Sequence, residues 1–149
     1  MTPRVYLDTN VFLAAYESVG ARSDHAFWIL WAIERGEIQG VTSEITLAEL
    51  LPGPVEEGNG ALADAYKQIL MDGRNMEVLP VTRDTLIETA GLRAGRPGFK
   101  LPDAIHCATA LRTACTAIVT DDRRMPKNLG VRIVAFGPHV LDDVRPGIL

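Results

Sequence analysis

Val5-Tyr6-Leu7-Asp8-Thr9-Asn10-Val11-Phe12-Leu13 is the stretch on which the reading of this chain turns. Three apolar residues end on an acid, a short polar turn follows, and a second apolar run begins. That pattern predicts a buried strand over 3–8, a sharp turn and a helix over 10–17. An acid at the carboxyl end of a first strand stands where open α/β sheets take their ligands. Glu49, Asp103 and Asp122 recur downstream in comparable contexts. Singly, most have ordinary explanations: Asp8 can cap a helix, Asp103 suits the first turn of a helix opened by Pro102, and Asp121-Asp122 suits a turn. Glu49 is harder to dismiss. It lies within about 40° of Ile45 on a helical wheel, and its helix holds no Lys or Arg to pair with it. Four carboxylates gathered at one sheet edge would repel one another unless a cation held them. An all-oxygen set of this kind suits Mg²⁺ or Mn²⁺.

Working outward, the pattern predicts helices over 10–17 and 23–35, a strand over 39–42 and a helix over 44–51. Ser43 is a suitable N-cap for the last of these, and Pro52-Gly53-Pro54 is expected to break it. The stretch 56–60 is expected to be a mobile loop. A helix over 61–71, a strand over 76–81, a helix over 83–94, a helix opened by Pro102 and strands over 117–120 and 132–136 complete the order. Strands alternating with helices imply a parallel sheet covered on both faces.

With 149 residues, 47% hydrophobic and 23% charged, the chain suits one globular domain, expected over 1–149. No apolar run approaches the roughly 20 residues of a membrane helix, and the N-terminus does not read as a secretion signal. Cys107 and Cys115 would sit roughly 12 Å apart along one helix, too far for a disulfide. The expected compartment is therefore the reducing cytoplasm. The net charge of −4 is unevenly spread: 5 Lys/Arg against 12 Asp/Glu over 1–82, and 9 against 5 over 83–132. Arg93, Arg96, Lys100, Arg123, Arg124 and Lys127 flank two of the four acids. Either this is ordinary surface charge or an anionic substrate approaches from that side.

Four segments together carry a resemblance. Residues 5–13 resemble the opening motif of PIN-domain ribonucleases. Thr42-Ser43-Glu44-Ile45-Thr46-Leu47-Ala48-Glu49-Leu50 resembles their second motif; Lys100-Leu101-Pro102-Asp103-Ala104-Ile105-His106 and Val119-Thr120-Asp121-Asp122-Arg123 resemble the third and fourth. They run in family order over about residues 3–136. The resemblance implies a PIN-like three-layer α/β fold, a mainly parallel sheet flanked by helices. It also implies a metal-dependent endoribonuclease in which Asp8, Glu49, Asp103 and Asp122 bind Mg²⁺ or Mn²⁺. Asp121 falls where the family often has Asn and is either a fifth ligand or an orienting group. Thr9, Asn10, Ser43 and Thr120 match supporting polar positions. The implied substrate is RNA, cleaved to 5′-phosphate and 3′-hydroxyl ends. Size and compactness resemble the VapC-type toxins of toxin–antitoxin pairs, which implies an antitoxin partner and a homodimer. One departure is that Met125-Pro126 stands where the family commonly has an aromatic residue.

The competing reading is a catalytically silent RNA-binding or scaffold module on the same fold. Other chemistries fit poorly. His25, His106 and His139 show no acid–base spacing, with His106 expected in a packing or supporting role. Neither cysteine has a base partner. Asp8-Thr9-Asn10 is not the Asp-x-Asp of haloacid-dehalogenase-type phosphatases. Ala26-Phe27-Trp28-Ile29-Leu30-Trp31-Ala32-Ile33 is apolar all round, so its helix buries more than one side. It is either sandwiched in the core or presents Phe27, Trp28 and Trp31 to a groove beside the helix over 61–71. In VapC-like proteins this helix contributes to the antitoxin groove.

Overall fold

A computed structural model describes residues 2–145. Met1 and residues 146–149, included in the single-domain reading, lie outside the described residues. Strand β1 (Arg4–Leu7) is the centre of a five-stranded sheet. The others are β2 (Gln39–Ser43), β3 (Met76–Leu79), β4 (Ala117–Val119) and β5 (Arg132–Val134). Their order is β3-β2-β1-β4-β5, and every neighbouring pair is parallel. The helices are α1 (Thr9–Glu17), α2 (Ala21–Glu34), α3 (Ile45–Leu50), α4 (Pro52–Glu56), α5 (Gly60–Asp72), α6 (Arg83–Arg93), α7 (Leu101–Arg112) and α8 (Val140–Val144).

The strands are apolar on both faces because both are covered. On one side Val5, Leu7, Ala117 and Val119 pack with Phe12, Ile29, Ile33, Tyr66 and Val140 from α1, α2, α5 and α8. On the other, Tyr6, Val41 and Ile118 pack with Ala104, Cys107 and Ala110 of α7. The alternation along β1 is the period-2 rule of strands. The result is the three-layer architecture that the sequence implied.

Several boundaries differ from expectation. Pro52 does not end helical structure; it opens α4, where proline's fixed φ is tolerated. The expected loop shrinks to 57–59, closed by Asn59, whose N–H donates to the Pro54 carbonyl and whose Oδ1 accepts the Leu62 N–H at 3.1 Å. β3 ends at Leu79 and β5 at Val134. Helix α8 was not expected; its buried Val140 and Val144, one turn apart, are its only strong apolar signal.

Candidate active site

The strand order reverses beside β1: the chain runs β1, β2, β3 to one edge and then returns to place β4 on β1's other flank. The crevice beyond the carboxyl ends of β1 and β4 is thus the switch point at which open α/β sheets bind ligands. Asp8 follows β1 directly, and Asp121 and Asp122 follow β4 within three residues.

Asp8 is buried and is the hub of this crevice. Its Oδ1 accepts the Thr9 N–H at 2.8 Å, capping α1. Its Oδ2 accepts the Asn10 amide at 3.1 Å and the Thr120 hydroxyl at 2.7 Å. Thr120 Oγ1 in turn accepts from Asn10 Nδ2 and from the Asp122 N–H, each at 3.0 Å. These bonds fasten the β1 and β4 loops together. Ser43 acts at a distance: it is not the expected N-cap, a position Glu44 takes, but its Oγ accepts the Ile45 N–H at 3.2 Å just before the helix that carries Glu49.

Glu49, on α3, reaches the same crevice. Its Oε1 accepts the Thr9 hydroxyl at 2.8 Å and lies 2.6 Å from His106 Nε2. His106 Nε2 also stands 3.6 Å from Asp8 Oδ1. The His106 contacts hold the Glu49 carboxyl below its usual range, against the opposing push of partial burial. Asp103 and His106 lie three residues apart on α7 and share a face. Burial raises the Asp103 carboxyl above its usual range, and the negative charges of Asp8, Asp122 and Glu49 raise it further. Asp103 is thus within electrostatic reach of the other three acids, with no direct contact to any of them among the described residues.

Asp122 is held differently. Its Oδ1 accepts the Arg124 N–H at 2.9 Å and Nε–H at 3.1 Å, and its Oδ2 takes Nη2 at 3.3 Å. This clasp keeps the Asp122 carboxyl below its ordinary range. Asp121 is directed elsewhere, into an ion pair with Arg22 at the start of α2, whose guanidinium also stacks over Phe136 at 5.0 Å. Of the expected basic arc, Arg124 and Lys100 stand close enough to lower Asp122. Arg96 and Arg124 line one shallow cleft with Phe99 and Pro126, while Arg123 and Lys127 line its neighbour beside Asp122. Arg93 and Arg96 also tie their own loop, donating to the carbonyls of Phe99 and Leu92. Cys107 is buried, and its thiol is pushed up to about 12, which removes it as a nucleophile.

The site's oxygens fit a hard divalent cation. Among the described residues, Glu49 Oε2 and both Asp103 oxygens accept no hydrogen bond from protein. Asn10 Oδ1 is buried without a partner, an orphaned acceptor suited to a hydrating water. No three His, Cys, Asp or Glu side chains among those residues yet close around an ion. Mg²⁺ tolerates this, because it keeps several waters and takes few protein ligands. His106, expected in a packing or supporting role, is buried and contacts Glu49, in keeping with its three-residue spacing from Asp103. Nothing in the sequence signalled the Arg22 pairing or the Arg124 clasp.

The PIN domain family model matches residues 5–129. No curated protein sequence matches significantly. Among solved structures, the DNA-bound VapBC complex of Salmonella typhimurium is 23% identical at a TM-score of 0.66, covering 91% of this chain and 99% of that one. VapC20 of Mycobacterium tuberculosis, described as a sarcin-ricin-loop-cleaving toxin, is 19% identical at 0.66, covering 81% and 92%. FitAcB of Neisseria gonorrhoeae is 20% identical at 0.64, covering 87% and 96%. These likenesses extend the fold over nearly the whole chain. With a matching family model, the fold and the acids in family order, the chain belongs to the PIN domain family.

Proposed function

We propose that the chain is a Mg²⁺- or Mn²⁺-dependent endoribonuclease and the toxin of a cytoplasmic toxin–antitoxin pair. This reading is supported by Asp8 and Asp122 following β1 and β4 at the sheet's switch point, by Thr9 and His106 linking Glu49 to Asp8, and by the charges of these acids acting on Asp103, with Glu49 Oε2 and the Asp103 oxygens unpartnered among the described residues. The four acids would hold the ion. A bound divalent ion supplies Lewis-acid polarisation of a phosphodiester and activation of water. Thr9, Asn10 and Thr120 keep the Asp8 carboxylate in place, and Ser43 steadies the start of α3. Asp121, engaged by Arg22, orients the β4 loop in this reading. Arg93, Arg96, Lys100, Arg123, Arg124 and Lys127 would grip flanking phosphates as a salt-sensitive surface. The toxin assignment is supported by the structural neighbours, which include VapBC and other toxin–antitoxin complexes. An antitoxin and a second copy of the chain are the proposed protein partners. No described helix is long and apolar enough to cross a membrane.

The deciding experiment is cleavage of RNA with Mn²⁺, Mg²⁺ or excess EDTA, beside Glu49→Gln and Asp103→Asn proteins. Cleavage in Mn²⁺ or Mg²⁺, lost in EDTA and in both variants, is expected. Undiminished cleavage in EDTA overturns the metal reading. The Arg124 clasp on Asp122 favours one rival, a silent RNA-binding module, which would bind RNA in this assay and leave it intact under every condition.

A further inference from the structure

Glu49 is held asymmetrically. Oε1 faces two donors, Thr9 Oγ1 at 2.8 Å and His106 Nε2 at 2.6 Å, while Oε2 has no protein partner among the described residues. His106 is fully buried, and Tyr6, also fully buried, places its hydroxyl 2.5 Å from His106 Nδ1. The two rings meet edge to face at 5.6 Å.

This geometry decides the histidine's tautomer. A neutral ring protonated on Nδ1 would turn the Nε2 lone pair toward a carboxylate oxygen at 2.6 Å, a repulsive contact. In the neutral ring Nε2 therefore carries the hydrogen and donates to Glu49, which leaves Nδ1 an acceptor in need of a donor. The Tyr6 hydroxyl is that donor.

Resting on the metal reading above, we propose that Tyr6 and His106 form a positioning relay, Tyr6 Oη–H to His106 Nδ1 and His106 Nε2–H to Glu49 Oε1. The relay fixes the carboxylate with Oε2 turned free for the cation. Neither residue touches the ion or the substrate. Both act through Glu49, as outer hydrogen bonds orient ligands in metal sites generally. The relay spans three elements, β1, α7 and α3, and so couples the sheet to the one carboxylate carried by a short, solvent-edged helix.

The test is Mn²⁺ binding by calorimetry to the full chain and to His106→Ala, His106→Gln and Tyr6→Phe proteins, with circular dichroism confirming the fold. His106→Ala is expected to weaken Mn²⁺ binding about tenfold, the lower end for loss of such a partner. His106→Gln, which keeps an N–H donor, should recover most of the loss. Tyr6→Phe should fall between the parent chain and His106→Ala. Should His106→Ala not fold, the two conservative variants carry the comparison. Unchanged affinity in folded variants overturns the relay, and so does tighter binding, which would make His106 a competitor of the ion. Long-range ¹⁵N–¹H spectra of the metal-free chain supply an independent readout: an unprotonated Nδ1 on His106 is expected, and a protonated one overturns the proposal. A parent chain that binds no Mn²⁺ overturns the nuclease reading together with the relay. Binding in the parent that the variants leave unaltered overturns the relay alone.

Discussion

At the scale of single residues, the four acids are not equivalent, and their environments predict opposite responses to amide substitution. Carboxylate repulsion by itself would make Asp8→Asn neutral or stabilising. The structure reverses this for Asp8. Both of its oxygens accept hydrogen bonds, Oδ1 from Thr9 N–H and Oδ2 from Asn10 and Thr120. An asparagine puts an NH₂ against a donor in either orientation, so a loss of about 1–2 kcal/mol is expected. Asp103 is the residue that relieves repulsion. Its pKa is raised in the folded chain, by burial first and then by Asp8 and Asp122. The folded state therefore disfavours the Asp103 carboxylate relative to the unfolded state. A raised carboxyl pKa adds stability below its unfolded value and loses it as pH rises through the folded value. Asp103→Asn should thus raise the melting temperature of the metal-free protein at pH 7. The gain should shrink to nothing as pH falls to the ordinary aspartate range near 3.8. Melting curves of both variants across pH 3–8 in EDTA check this; a stabilised Asp8→Asn, or an Asp103→Asn gain that does not vary with pH, contradicts it. The positions of the acids were legible because each follows an apolar run or flanks one. Their hydrogen-bond partners were not, because Thr120 and His106 lie 112 and 97 residues from Asp8 and Thr9 along the chain.

At the scale of elements, most helices and strands were legible from periodicity, and the exceptions share a cause. α8 is five residues long, too short to show a period, and α4 begins at a proline that reads as a breaker when its helical position is unknown. Helix α2 posed the harder question, since its apolar residues point all round. The structure divides them: Ala26, Ile29, Leu30 and Ile33 enter the core, Phe27 and Trp28 pack at its margin, and Trp31 is 47% exposed. Trp31 stacks on Phe27 at 5.4 Å in a groove of about 410 Å³ between α2 and α5, with Tyr16 and Ile69 in its walls. A half-exposed indole anchored on another ring is the kind of residue that dominates binding energy when covered. Trp31→Glu is expected to leave the melting temperature nearly unchanged, since the ring already meets solvent, and to abolish co-purification with the proposed antitoxin when the two are co-expressed. Retention of the antitoxin by a folded Trp31→Glu protein would show that it docks elsewhere.

At the scale of the whole molecule, α6 is inside out. It turns Thr85 and Thr89 inward, nearly fully buried, and leaves Leu86 46% and Ile87 65% exposed. Ala90 and Gly91 lie one turn further on the same outer face and are exposed as well. A surface helix of a monomer normally presents the reverse pattern. Gly91 adds to the anomaly. It is a helix-interior glycine that costs roughly 1 kcal/mol against alanine, yet a Cβ there would meet nothing within 4 Å in this chain. A second copy of the chain would explain both features. Two α6 helices packed antiparallel about a two-fold axis between Glu88 and Thr89 set Ile87 over the partner's Ala90 and Leu86 over the partner's Gly91. Large residues then meet small ones. Such a patch is self-complementary, as a two-fold interface requires. The proposed homodimer should therefore run through α6. Sedimentation velocity at micromolar concentration is expected to find a dimer for the parent chain and a monomer for Ile87→Glu. Gly91→Leu, harmless to an isolated protomer with open space at that position, should also give a monomer. A parent chain that sediments as a monomer, or a Gly91→Leu protein that remains dimeric, would remove α6 from the interface and leave its outward leucine and isoleucine unexplained.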